Sequence, residues 1–386
     1  MLLPVGEIES QSLLLNKPPT VWDYFHRSSK KNEPQISTNQ EFLDWFTQHE
    51  KQFHAVVKQH HWIERDFLKK LNPKLANLRS GYNLLTGMMN EETAELIITP
   101  DRTISNFVEE LIAAAPDLEG GKFTALKPPV DIPDFGIEMA GFKFDATTLS
   151  FYANENKKFP DEIDITICYD SFTEHEEPQI TNGVYIFLDN YLGELNSITI
   201  LDNVTVTNVA EAEKELVPIS KLKDYLVWRE KEFVEKYEGV RHSTENDTYH
   251  SLQAELPNGK PLIAIINTDL LSWDSTASHP WVMVLTILYK PKNDSGMPDE
   301  NTFTELDAIE ENLLKELKDK DGFLNIGRHT ADGERIIYFV CKDFRKPSKV
   351  ADRVSMQYKD RFSISVDIFK DKYWQSLQRF NPNTHL

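Results

Sequence analysis

Between Phe323 and Asp343 the chain reads FLNIGRHTADGERIIYFVCKD, with an arginine, a histidine, a threonine, an aspartate and a glutamate within eight residues, flanked by two apolar runs. Such a set could form an active site, or the polar tip of a β-hairpin. A two-residue turn at Asp332-Gly333 is the simplest junction, because both central positions of that turn favour positive φ. The implied register pairs His329 with Ile336, Arg328 with Ile337, Gly327 with Tyr338 and Ile326 with Phe339. One face then carries Leu324, Ile326, Ile337, Phe339 and Cys341, with Arg328 at its rim. The other carries Asn325, Gly327, His329, Ile336, Tyr338 and Val340. The bland reading is a polar hairpin end with a solvated imidazole. The functional one has Asn325, His329 and Tyr338 touching a ligand or partner.

The stretch QHEKQFHAVVKQHH holds His49, Glu50, His54, His60 and His61 and is the best metal-like cluster in the sequence. A zinc-binding helix needs two histidines four apart on one face. Here His49 and His54 are five apart, which turns the second ring by roughly 140°, so a solvated helix surface is the simpler account. Paired acids in FPDEIDITICYD and TEHEEP are what 62 acidic residues generate in any case. Alternation that turns Ile163, Ile165 and Ile167 inward sets Asp164 and Thr166 outward. There is no Gly-x-Ser-x-Gly elbow, phosphate-binding glycine loop or Walker lysine pattern. No catalytic residue, metal ligand or cofactor is expected. Cys168 and Cys341 stand alone inside β-like runs and read as buried small hydrophobes.

The elements that would position these residues suggest an α+β protein of two domains, each a mainly antiparallel sheet with helices on one face, in the manner of a ferredoxin-like sandwich. At 386 residues, two domains are the default expectation. Residues 1–40, with Pro4, Pro18, Pro19 and Pro34, read as an arm, residues 41–240 as one α+β domain and residues 241–386 as a second. In the first, AELIITP and KFTALKP read as strands around a helix at NFVEELIAAAP. GVYIFLDNYLGEL reads as a helix before the strand SITILDNVTVTNV. In the second, Asn258-Gly259 signals a hairpin, and Thr302 with Glu305 three residues on forms a capping box before the stripe Phe303, Leu306, Ile309, Leu313, Leu317.

The segments PLIAIINTDLLSW, FLNIGRHTADGERIIYFVCKD and FSISVDIFKDKYWQSL, in this order and spacing, resemble the bacterial family called domain of unknown function 695, over roughly Thr248 to Phe380. The resemblance implies a fold and no catalytic residues. By arrangement and acidity the segment is also distantly similar to the RNase E inhibitor RraB, which acts by binding an enzyme.

The formal net charge of −20 repels nucleic acid and anionic lipid, and no apolar run reaches the length needed to span a bilayer. A cytoplasmic, acidic, non-catalytic binding or regulatory protein is the leading expectation. Its partner would be another protein, with a basic surface the natural complement. The candidate binding patch comprises Asn325, Arg328, His329, Tyr338, Trp273 and Trp281, since exposed aromatics often anchor interfaces. The alternative is an enzyme or small-molecule binder with its site in the cleft between the two domains.

Overall fold

The computed structural model describes residues 36–78, 81–100, 106–131 and 135–381. The expected arm over residues 1–40 therefore lies almost wholly outside the described residues.

Helix α1, Asn39–Lys58, starts where the Thr38 hydroxyl accepts from Glu41 N while the Glu41 carboxylate accepts from Thr38 N. Its buried face, Phe42, Phe46, Phe53 and Val57, follows the helical period. That face packs against α2, Lys69–Leu78, which follows a π-helical turn at Glu64–Leu68, and against a three-stranded sheet of β1 (Tyr82–Met88), β2 (Ala94–Pro100) and β3 (Gly121–Ala125). Helix α3, Asn106–Ala113, carries the chain back between β2 and β3, so these strands run parallel.

A second core begins with the hairpin of β4 (Gly136–Met139) and β5 (Phe142–Asp145), followed by β6 (Leu149–Asn154) and β7 (Asp164–Tyr169). Helices α4 (Glu177–Leu192) and α5 (Glu194–Ile200) then lead to β8 (Asn203–Asn208), the short β9 (Val217–Pro218) and helix α6 (Leu222–Tyr237). The strand order is β8-β7-β6-β9, with β7 and β8 parallel for the same crossover reason. Thr166, expected to face outward, is buried and accepts from Asn154. The sequence SITI, expected to open the last strand, is helical instead and ends α5. The described part of the first half is thus built of small sheets over two apolar clusters, where a single antiparallel sheet was expected.

The remaining chain forms one six-stranded antiparallel sheet in the order β10-β11-β13-β14-β12-β15. Its elements are β10 (Tyr249–Glu255), β11 (Pro261–Asn267), helix α7 (Thr268–Leu271), β12 (Trp281–Leu288), helix α8 (Glu300–Glu316), β13 (Phe323–Ala331), β14 (Glu334–Cys341), helix α9 (Arg345–Tyr358) and β15 (Ser363–Lys370). From β12 onward the order is β-α-β-β-α-β. Both helices cover one face, setting Leu306, Ile309, Leu313, Val350 and Val354 against Met283, Leu285, Ile337 and Phe339. The opposite face, with Ile266, Val282, Leu324, Ile326, Tyr338 and Val340, is closed by Leu270 of α7 and by Trp374, Leu377 and Phe380. The protein is α+β throughout. Helix α8 opens one turn earlier than the expected capping box: Asp299 accepts from Thr302 N at 2.8 Å, and Glu305 instead holds Arg361.

The hairpin turn lies at Asp332-Gly333, with φ of 42° and 83°. The pairs His329 with Ile336, Arg328 with Ile337 and Gly327 with Tyr338 form. Beyond Gly327 the register shifts, and Phe339 faces Asn325 instead of Ile326. Leu324 and Ile326 therefore join the Tyr338 face, and Asn325 turns to the helix face. The cause is a β-bulge, which inserts one unpaired residue.

Candidate functional site

The six residues of the expected patch are divided between the two sheet faces. On the helix face, Arg328 donates to Glu310 and, at 3.7 Å, pairs with Asp307, which also accepts from Arg335 at 2.6 Å. Glu310 is buried there, and desolvation pushes its carboxyl upward in pKa against the pull of Arg328. Asn325 is buried on the same face, and its Nδ2 has no acceptor among the described residues. Trp281, at the start of β12, is buried against Phe344, their rings 4.8 Å apart.

On the other face, the Tyr338 hydroxyl shares a hydrogen bond with Nδ1 of His329 at 3.1 Å and accepts from Arg379 at 2.7 Å. Burial pushes the His329 imidazole down to about 4, with Arg379 adding to the effect, so it is neutral at ordinary pH and not the solvated ring of the bland reading. Trp273 is half-buried, its ring 5.0 Å from His242 and 5.4 Å from His279. These six residues do not gather into one solvent-facing patch. The polar hairpin tip has a structural use as well: Asp332 accepts from Asn258 and Lys260, tying the hairpin to the β10–β11 loop.

The histidines of α1 are turned to backbone groups. His49 contacts the Trp45 carbonyl at 2.7 Å, His54 the Glu92 carbonyl at 2.7 Å, and Glu50 accepts from Gly120 N at 2.9 Å. Among the described residues no group of three potential ligands could hold a metal ion.

A different cluster lies in a cleft of about 370 Å3 between the second core and the C-terminal sheet. Its walls are Ile163, Ile200 and Phe233 on one side and Trp281, Phe344 and Arg345 on the other, with Lys370 and Lys372 between them. Lys370, at the end of β15, donates to Oδ1 of Asp202 at 2.8 Å and to the Ile200 carbonyl at 2.9 Å. Lys372 donates to Oδ2 of Asp202 at 2.7 Å and to the Asp161 carbonyl at 2.6 Å, and lies over the Phe233 ring. Asp202 also accepts from Ile163 N at 2.7 Å, which fixes it at the mouth of β8. Two ammonium groups, one buried and one largely buried, thus share one largely buried carboxylate. Burial lowers Lys370 to about 8, and the neighbouring Lys372 adds to the fall while Asp202 opposes it. Arg345 is committed elsewhere, donating through Nε and Nη2 to both oxygens of Glu109 at 2.9 and 3.1 Å.

Residues 254–380 match the sequence model of a family of unknown function, DUF695. The C-terminal part of the chain resembles this family. The DUF695 segment supplies Trp281, Phe344, Arg345, Lys370 and Lys372 of the cleft, whereas Ile200, Asp202 and Phe233 come from outside it. No curated protein and no solved structure matches the chain. The comparisons add nothing to the likeness to RraB. Sequence reasoning missed Lys370 and Lys372; their only local signal was a pair of lysines two apart at a strand end, where the side chains share a side.

Proposed function

We propose that the protein binds a small organic anion in the cleft between its second core and its DUF695 segment. One observation carries this reading: Lys370 and Lys372, which line the cleft, converge on the single carboxylate of Asp202, while the rest of the lining combines Ile163, Ile200, Phe233, Trp281 and Phe344 with Glu230, Asp343 and Arg345. Concave, mostly apolar sites of this size with a few fixed polar groups are the usual form of small-molecule sites. A buried cation costs free energy until an anion meets it; the two ammonium groups have one carboxylate between them, and the acids that also line the cleft are Asp343, paired with Arg345, and the exposed Glu230. The outer net charge of −20 slows the approach of anions, so moderate salt raises the association rate.

The test is thermal unfolding of the full chain with a panel of small carboxylates and phosphate. A bound anion at a hundredfold its Kd adds about 2.7 kcal/mol and raises the melting temperature in a saturable way, an effect that Lys370→Met removes. Equal response, or none, in both proteins overturns the reading.

A second reading keeps the protein-partner expectation but moves its surface. Val227, Trp228 and Val234 of α6 are 65%, 57% and 59% exposed, a concentration of large apolar side chains on one charged helix. Exposed aromatic and aliphatic groups of this kind anchor partners when buried. Trp228→Ala should then weaken salt-sensitive retention of a partner without altering the melting temperature; unchanged retention rejects this surface.

A further inference from the structure

We infer that Lys370 captures a carbonyl-bearing acid, of the 2-oxo acid class, as a covalent imine within the cleft. The inference rests on the anion-binding reading above and adds the ligand's reactive group. Its basis is the difference between the two lysines. Lys372 has two oxygen acceptors and the Phe233 ring about its ammonium, which fills its surroundings. Among the described residues Lys370 has the Ile200 carbonyl and Asp202 Oδ1 as acceptors for its three donors, and it lines the cleft. One of its donors is thus left without an acceptor among the described residues.

The shared carboxylate makes a neutral Lys370 tolerable. When Lys370 loses its proton, Asp202 keeps Lys372 as its counterion, so no buried carboxylate is left unpaired. A lysine desolvated beside a second cation is the usual form of an imine-forming lysine. Burial works in the same direction, lowering Lys370 to about 8. The charged groups around that amine are Asp202 before β8, Lys372 after β15 and Glu162 before β7, and Glu230 of α6, Asp343 after β14 and Arg345 at the start of α9 line the same cleft.

The step balances without an oxidant or reductant. The ammonium first gives its proton to solvent by way of Asp202. The nitrogen lone pair then bonds to the carbonyl carbon as one N–H proton passes to the carbonyl oxygen, giving the carbinolamine. A proton from solvent lets the hydroxyl leave as water, and the second N–H proton returns to solvent, leaving a C=N bond.

The experiment uses the full chain with pyruvate and sodium cyanoborohydride, and lactate as the analogue without a carbonyl. Intact mass and peptide mapping should show one reduced adduct, on Lys370, formed at least about tenfold faster than on exposed lysines. Its rate should rise through about pH 8 and level off above it, and excess lactate should slow it. Lys370→Arg keeps the cation and should lose the adduct. Adducts spread over surface lysines with Lys370 no faster, or none at all, overturn the inference. Calorimetry separates the two levels. If pyruvate and lactate bind equally and Lys370 stays unlabelled, the imine fails and the anion site stands; if neither binds and nothing is labelled, this ligand class is excluded at both levels.

Discussion

Arg335 donates to Oδ1 of Asp307 at 2.6 Å from a position that is 1% exposed, across the gap between β14 and α8. Thr330 supplies a second acceptor at 3.0 Å, and the guanidinium lies over the Phe303 ring. This pair, with Arg328 and Glu310, is what the polar residues of the hairpin build: an ionic seam beneath a helix.

Removing the acceptor of a buried cation costs more than removing the cation. Asp307→Ala should destabilise the protein by about 3 kcal/mol, whereas Arg335→Met should cost less than half of that. Urea unfolding of the two variants checks the order. A larger loss for Arg335→Met would show that the seam is held by the packing of the arginine stem, not by its charge.

Gly327 has φ of +124°, and a Cβ there would stand 2.1 Å from the Ile265 carbonyl oxygen. That oxygen is backbone in the neighbouring strand and cannot rotate away. Gly327→Ala should therefore cost at least about 3 kcal/mol or prevent folding of the sheet. Wild-type stability in this variant would mean that the bulge relaxes at little cost.

His329 and His279 are buried neutral, with their pKa values lowered mainly by desolvation to about 4 and about 3 from an ordinary 6.5. The unfolded chain takes up protons first, so stability is lost as pH falls below 6.5 and the loss ends near each folded-state value. Each ring contributes at most about 1.4 kcal/mol per pH unit within that window. His329→Gln should flatten the fall of the urea midpoint between pH 6.5 and 4 relative to wild type. Parallel curves would mean that the ring is hydrated and titrates as in the unfolded chain.

Asp202→Asn leaves Lys370 and Lys372 facing each other without a carboxylate. The variant should lose about 3 kcal/mol or more at pH 7 and recover part of it in millimolar phosphate, more than the wild type gains. It should also recover as pH rises, since a neutral Lys370 removes the repulsion. Loss of stability insensitive to both phosphate and pH would show that Asp202 acts only through its bond to Ile163.

The sequence by itself determined the local features. The turn at Asp332-Gly333 was legible because positive φ at two successive residues is a property of those residue types. Most of the buried stripe of α8 was legible because burial follows the helical period, although Phe303 at its start is 44% exposed, whereas the alternation around Ile165 and Ile167 failed because Thr166 between them is buried too. Tertiary structure decided what depends on neighbours distant in sequence. The bulge before Gly327, where β11 passes too close for a side chain, moved Leu324, Ile326 and Asn325 to the faces opposite those their alternation implied. His329 is buried beside Tyr338 and the half-buried Arg328 is held by Glu310, partners whose positions no local rule supplies. The cleft was least legible of all: Lys372 and the Asp202 it holds are 170 residues apart. An ion pair has no periodicity to announce it, because it is made by folding and not by the order of the chain.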